Sequence, residues 1–330
     1  MKSSTLELVC PAGTPVALRA AIDAGADVAY AGFRDETNAR NFPGLNFTRP
    51  ELQEGINYAH ARGAKVYVAI NTFPAAGHLT PWHRAVDDAT TMGADALILA
   101  DIGLLDYAAQ RYPAMRRHLS VQASASNAPA IRFFRDAFGV KRVVLPRVLT
   151  IAEIAAIREQ IPIETEVFAF GGMCVMAEGR CALSSYATGR SPNIDGVCSP
   201  ASHVRYEHRD DQLISRLGRF TINRFEEGER AGYPTLCKGR FSARDRASYL
   251  FEEPVSLNVM GMLPQLMAAG VRALKIEGRQ RGRDYVARTV SAFRRAIDAA
   301  AQGRPIAETI LDGLSEGGRN TTGAYDRSWR

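Results

Sequence analysis

With 330 residues, 46% of them hydrophobic and 23% charged, the chain has the composition of a folded globular protein, long enough for one large α/β domain or two smaller ones. Its 41 Lys and Arg against 35 Asp and Glu leave a formal net charge of +6, a mild excess that suits either a solvated surface or an anionic partner. No apolar run is long enough to span a membrane, and the stretch from Met1 to Cys10 is too short and too polar for a signal peptide. A cytoplasmic protein is therefore expected, and in that reducing compartment five cysteines point to metal or redox chemistry rather than to disulfides.

In chain order, one phrase recurs: the end of a helical stretch, a glycine, a β-branched run and a polar residue. The first strand is expected at 7–10. Ala24-Gly25-Ala26-Asp27 leads into a second at 28–30, Arg62-Gly63-Ala64-Lys65 into a third at 66–71, and Met92-Gly93-Ala94-Asp95 into a fourth at 96–99. A fifth is expected at 119–122. Phe138-Gly139-Val140-Lys141 leads into a sixth at 142–145, a seventh follows at 164–168, and Ala269-Gly270-Val271-Arg272 leads into an eighth at 273–276. Glycine ends a helix by taking the left-handed conformation. The nearly continuous apolar run after it suits a strand covered on both faces, as in parallel sheets. In the last helical stretch Val286, Val290, Phe293 and Ile297 form one apolar stripe.

Eight such units predict an α/β fold, a parallel (β/α)8 TIM-like barrel. The doubly wound alternative needs G-x-G-x-x-G after the first strand, and Cys10-Pro11-Ala12-Gly13-Thr14-Pro15 lacks it. The periodicity stops after Phe170 and returns only near the eighth strand. The expected division is 1–170 for the first seven strands, 171–260 for an insertion after strand seven, 261–302 for the closing strand and helix, and 303–330 for a C-terminal tail. A long segment on the C-terminal rim of a barrel is where function is expected.

Four of the five cysteines, Cys174, Cys181, Cys198 and Cys237, fall in this insertion with the spacing Cys-x6-Cys-x16-Cys-x38-Cys. Four thiolates can hold zinc or an iron–sulfur cluster. The short Cys-x2-Cys or Cys-x4-Cys knuckles of structural zinc are missing, and the spacing is also wider than in a bacterial ferredoxin. Cluster, zinc and inert thiols all remain open on spacing alone. Cys10 reads as a small buried core residue.

Polar residues at strand ends converge on one mouth in a barrel: Asn71, Asp101, Gln122, Arg147, Glu277 and Arg279, joined by Asn38 and Arg40 from the loop after strand two. The tentative binding set is Asn38, Arg40, Asn71, Gln122, Arg147, Glu277 and Arg279. Arg40 and Arg147 are expected to bind a carboxylate, and Glu277 and Arg279 to fix the loop after strand eight. Internal ion pairing of the same arginines is the other reading. The chain has no G-x-S-x-G, H-E-x-x-H or P-loop motif, and no two of its six histidines have helical metal-ligand spacing.

The phrases Cys10-Pro11-Ala12-Gly13, Asn38-Ala39-Arg40-Asn41, Glu178-Gly179-Arg180-Cys181-Ala182-Leu183-Ser184-Ser185-Tyr186 and Lys275-Ile276-Glu277-Gly278-Arg279 resemble the collagenase-like peptidases, a family that includes iron–sulfur hydroxylases. The resemblance runs over nearly the whole chain. Asp35 to Arg40, Ala69 to Phe73, Ser120 to Ala125, Glu166 to Gly171 and Ala231 to Arg240 are similar to the UbiU group of that family. That resemblance implies a [4Fe–4S] cluster on Cys174, Cys181, Cys198 and Cys237, a heterodimer with a UbiV-like subunit, and ring hydroxylation of prenylated ubiquinone precursors without O2. It also implies a UbiT-like lipid-binding protein in the same pathway and prephenate as oxygen donor. Related members hydroxylate RNA bases, so an RNA base hydroxylase is the alternative, and a non-catalytic scaffold for the partner subunit is the third reading. Gly172, Met173 and Val175 vary the phrase around the first cysteine.

Overall fold

The fold is seen in a computed structural model, which describes residues 6–306 and 309–326. Seven parallel strands follow one another in order: β1 (Glu7–Pro11), β2 (Val28–Ala31), β3 (Lys65–Ile70), β4 (Ala96–Leu99), β5 (Arg117–Leu119), β6 (Arg142–Val144) and β7 (Glu164–Gly172). An eighth strand, Ala273–Ile276, pairs in parallel with both β7 and β1 and closes the barrel. This is the (β/α)8 architecture that the recurring phrase predicts. The five glycines of that phrase, Gly25, Gly63, Gly93, Gly139 and Gly270, all have positive φ.

Local chemistry sets the outer helices. Thr48 and Thr150 open the helices Arg49–His60 and Ile151–Gln160 with reciprocal capping boxes to Glu51 and Glu153. The Asp101 side chain accepts from Leu104 N at 3.0 Å as the N-cap of the helix Ile102–Arg111, so this rim carboxylate is spent on the helix. The closing helix, Arg283–Ala301, buries Val286, Val290, Phe293 and Ile297 completely.

The barrel interior is divided. Val9, Val28, Tyr30, Tyr67, Ala69, Ala96, Ile98 and Ala273 form an apolar cluster. Beside its Tyr67 and Tyr30 rings Arg142, 2% exposed, pairs with Glu7 at 2.5 Å, Glu164 at 2.7 Å and Glu166 at 3.1 Å, and Lys275 adds a 2.8 Å bond to Glu166. Every charge there has an opposite partner, as burial demands.

Two strands differ from expectation. β5 stops at Leu119 because Ser120 Oγ accepts from Gln122 N at 3.3 Å and caps a 3-10 turn, Val121–Ala123. Gln122 therefore sits in a turn above the barrel, not at a strand end. β7 runs past Phe168 to Gly172 because a strand in the insertion, Ser256–Asn258, pairs antiparallel with its end. The insertion carries a three-stranded antiparallel sheet (Val204–Arg209, Gln212–Leu217, Phe220–Phe225) and a hairpin (Arg240–Ala243, Arg246–Tyr249). The tail returns to the barrel: Asn320–Thr321 pairs with Ser256–Leu257, and the buried Tyr325 donates to Phe168 O at 2.8 Å. Among the described residues, no helix is long and apolar enough to cross a membrane.

Candidate functional site: a cysteine loop over the barrel mouth

A cavity of about 70 Å³ lies at the barrel mouth. Arg40, Asn71, Gln122, Arg147, Glu277 and Arg279 from the expected set all line it; Asn38 does not. Asn38 is fully buried beside it, its Oδ1 accepting from Arg279 at 2.9 Å and its Nδ2 donating to Phe33 O. Tyr30, Phe168, Glu178 and Lys275 also line the cavity and were missed from the sequence. Lys275 could have been noticed as the one charge in the strand Ala-Leu-Lys-Ile, since a cation there must face the barrel interior.

The cations are held by internal partners. Arg147, 3% exposed, donates to Glu178 Oε1 at 2.7 Å and lies 3.7 Å over the Phe168 ring. Arg40 pairs with Glu277 at 3.5 Å. Its backbone is left-handed at φ 80°, with its N–H donating to Gly196 O at 2.8 Å and its carbonyl accepting from Asn46 at 2.9 Å. Arg279 ties the loop after the eighth strand to the loop after β2 through Asn38 and the Ala39 carbonyl. Lys275 sits 3.8 Å from the centre of the Tyr30 ring. Asn71 accepts from Ala39 N and donates to Ser120 Oγ, both at 3.0 Å. Internal pairing and the lining of one cavity thus occur in the same arginines.

Burial and charge shift these groups in opposite senses. Burial raises the Glu178 carboxyl, and Arg147 only partly offsets it. Burial also opposes ionisation of Glu277, but Arg40 and Arg147 outweigh it and hold its carboxyl below the usual range. Burial lowers Arg279 to about 10. Four cationic and two acidic side chains line the cavity, a surplus that favours an anionic ligand.

The insertion closes over this mouth. Gly179, at φ +84°, packs so tightly on the Gln122 carbonyl that a side chain would collide with it, and Ser124 Oγ donates to the neighbouring Glu178 carbonyl. Gly196, at φ +76°, would place a Cβ 2.8 Å from Asn38 O. These contacts fix the cysteine segments over the cavity. Cys174, Cys181 and Cys237 are half-buried, Cys198 is exposed, and all four thiols are free. The electrostatic influence of Cys237 extends to Cys198, Cys181 and Cys174, and that of Arg40 to Cys198 and Cys174. Burial pushes the Cys174 thiol up to about 12 and the Cys237 thiol up to about 11. Cys10 stands apart, fully buried in β1. The four rim thiols could together hold a metal centre, at the cost of losing their protons.

The chain matches the family model for peptidase family U32 over residues 13–322. It belongs to that family. This U32 chain is 35% identical over 333 residues to tRNA hydroxylation protein P of Escherichia coli (strain K12), spanning 93% of this chain and 71% of the relative. It is 31% identical over 307 residues to the 23S rRNA 5-hydroxycytidine C2501 synthase of the same organism, spanning 92% of this chain and 41% of that one. Identity to a collagenase of Porphyromonas gingivalis (strain ATCC BAA-308 / W83) is 29% over 321 residues, 94% of this chain and 70% of the relative. The U32 relatives thus carry names of two kinds, RNA hydroxylation and proteolysis.

Proposed function

We propose that this chain is the iron–sulfur subunit of an oxygen-independent hydroxylase that acts with a UbiV-like subunit on the ring of ubiquinone precursors. Cys174, Cys181, Cys198 and Cys237 would hold its [4Fe–4S] cluster. The observation that carries the reading is the seating of the segment that bears Cys174, Cys181 and Cys198 on the loops around a cation-lined cavity, through Gly179 on Gln122 and Gly196 on Asn38. Among the described residues no three His, Cys, Asp or Glu side chains converge as one metal ion requires. Tetrahedral zinc at its usual bond length brings thiolates to roughly 3.8 Å from one another. A centre larger than a single ion is what the resemblance implies for these four free thiols. When bound, the cluster supplies one-electron transfer.

The chain's own residues then have defined roles. Arg40, Arg147 and Lys275 make the mouth attractive to a carboxylate, prephenate being the oxygen donor that the resemblance implies. Phe168 and Tyr30 offer ring faces to an aromatic ligand. A UbiT-like lipid-binding protein fits the delivery of a prenylated substrate to a cytoplasmic enzyme.

The relatives named for RNA hydroxylation favour a second reading, an RNA base hydroxylase. The charge of the insertion weighs against it. Residues 171–260 hold twelve Lys and Arg against eleven Asp and Glu. Several of these arginines are paired: Arg216 with Glu207, Arg190 with Asp195 and Arg240 with Glu229. A phosphate backbone calls for a strongly basic face. The deciding assay is anaerobic hydroxylation by the chain alone, by the UbiV-like subunit alone and by the two together, on a prenylated phenol and on unmodified tRNA. Turnover of the phenol by the pair is the expected result. Turnover of tRNA alone transfers the assignment to RNA, and full activity of the partner without this chain reduces it to a scaffold.

A further inference from the structure

The Arg147–Glu178 pair is joined by one hydrogen bond, although arginine and carboxylate normally pair through two. The single bond leaves Arg147 Nε without an acceptor and Glu178 Oε2 without a donor, both fully buried. Gln122 Oε1, lining the same cavity, is also buried and without a partner. Buried polar atoms left unpaired are costly and uncommon, and three converging on one cavity call for a common occupant. That occupant must accept a hydrogen bond from Arg147 and donate to Glu178 or Gln122, and a hydroxyl does both. A bridging water would serve as well, and the cavity has room for one.

We infer that Gln122, Arg147 and Glu178 form a hydroxyl-recognition subsite, so that the cavity selects hydroxyl-bearing acids over their deoxy analogues. The inference rests on reading the mouth cavity as the ligand site and makes Glu178, on the cysteine loop itself, a specificity residue. The packing of Gly179 on the Gln122 carbonyl holds Glu178 at this subsite. A site built to bond a hydroxyl discriminates strongly against the analogue without it, because its own polar groups are then left unpaired.

The test is calorimetric titration of the full chain with 4-hydroxyphenylacetate and with phenylacetate. The wild type should bind the hydroxyl probe at least about tenfold more tightly. Gln122→Met, which removes the acceptor and keeps the volume, and Glu178→Gln should each reduce that preference several-fold. Equal binding of the two probes means that water alone fills the subsite, and overturns the inference; so does the absence of binding by either probe, or a preference that survives both substitutions. Iron and sulfide analysis of the same preparations reports on the cluster separately. Loaded protein without a hydroxyl preference overturns only this inference, and iron-free protein with the preference overturns only the cluster.

Discussion

The role proposed for each cysteine of the rim set can be tested by one substitution. Cys181→Ala should lose most of the iron, because one corner of the cluster then lacks a strong ligand, whereas Cys10→Ala, buried in β1, should retain it. Iron content per chain after anaerobic purification checks both. Arg147→Lys keeps the charge but loses the planar fork and the stacking on Phe168. Loss of a hydrogen bond to a charged group costs about 1.5–3 kcal/mol, so activity at limiting donor concentration should fall roughly tenfold or more. Unchanged activity would remove Arg147 from the site. The cysteines were legible in the sequence because four of five crowd into one insertion. Asn38 was misplaced because side-chain direction inside a loop has no periodic signal. Glu178 was passed over because its place opposite Arg147 depends on how the insertion folds back over β6 and β7.

At the scale of elements, the cysteine loop depends on where it touches the barrel. Gly179→Ala meets both a left-handed backbone and a collision with the Gln122 carbonyl, whereas Gly189→Ala has a similar backbone, φ +71°, but open space around it. Gly189→Ala should cost only about 1 kcal/mol of local strain. Gly179→Ala should in addition unseat the loop, seen as faster limited proteolysis between Cys174 and Cys198 and as lost iron. Equal behaviour of the two variants would show that the seat on Gln122 is unimportant. Five of the eight barrel strands were legible as short apolar runs behind a helix-ending glycine, as a strand buried on both faces requires. β5 was misjudged because Ser120 caps a 3-10 turn through a local hydrogen bond from Gln122 N, which hydrophobicity does not register. The antiparallel sheet of the insertion was illegible for a related reason: Val204–Arg209 is exposed along most of its length and shows no clear alternation.

For the whole molecule, stability rests partly on the charged half of the barrel interior. Arg142→Leu strands Glu7 and Glu166 without their central partner, and breaking a buried pair in this way costs about 3–5 kcal/mol. Chemical denaturation should show that loss. Burial opposes ionisation of Glu164 and Glu166, but Arg142, with Arg116 at Glu164 and Lys275 at Glu166, holds both carboxyls below their usual range. Carboxyls lowered in the folded state give stability that is present above the unfolded value of about 4.3 and is lost as pH falls through the folded values. The melting temperature should therefore hold from neutral pH down to about 5 and drop below about 4, with a shallower drop in Arg142→Leu. A melting temperature that stays flat through pH 3 would mean that these pairs contribute little. The most direct test of the central claim is anaerobic purification of the chain, followed by iron and sulfide analysis and an absorption spectrum. A [4Fe–4S] protein gives about four iron and four sulfide per chain and a broad visible absorption that bleaches on reduction; zinc, or no metal, on Cys174, Cys181, Cys198 and Cys237 would contradict the account.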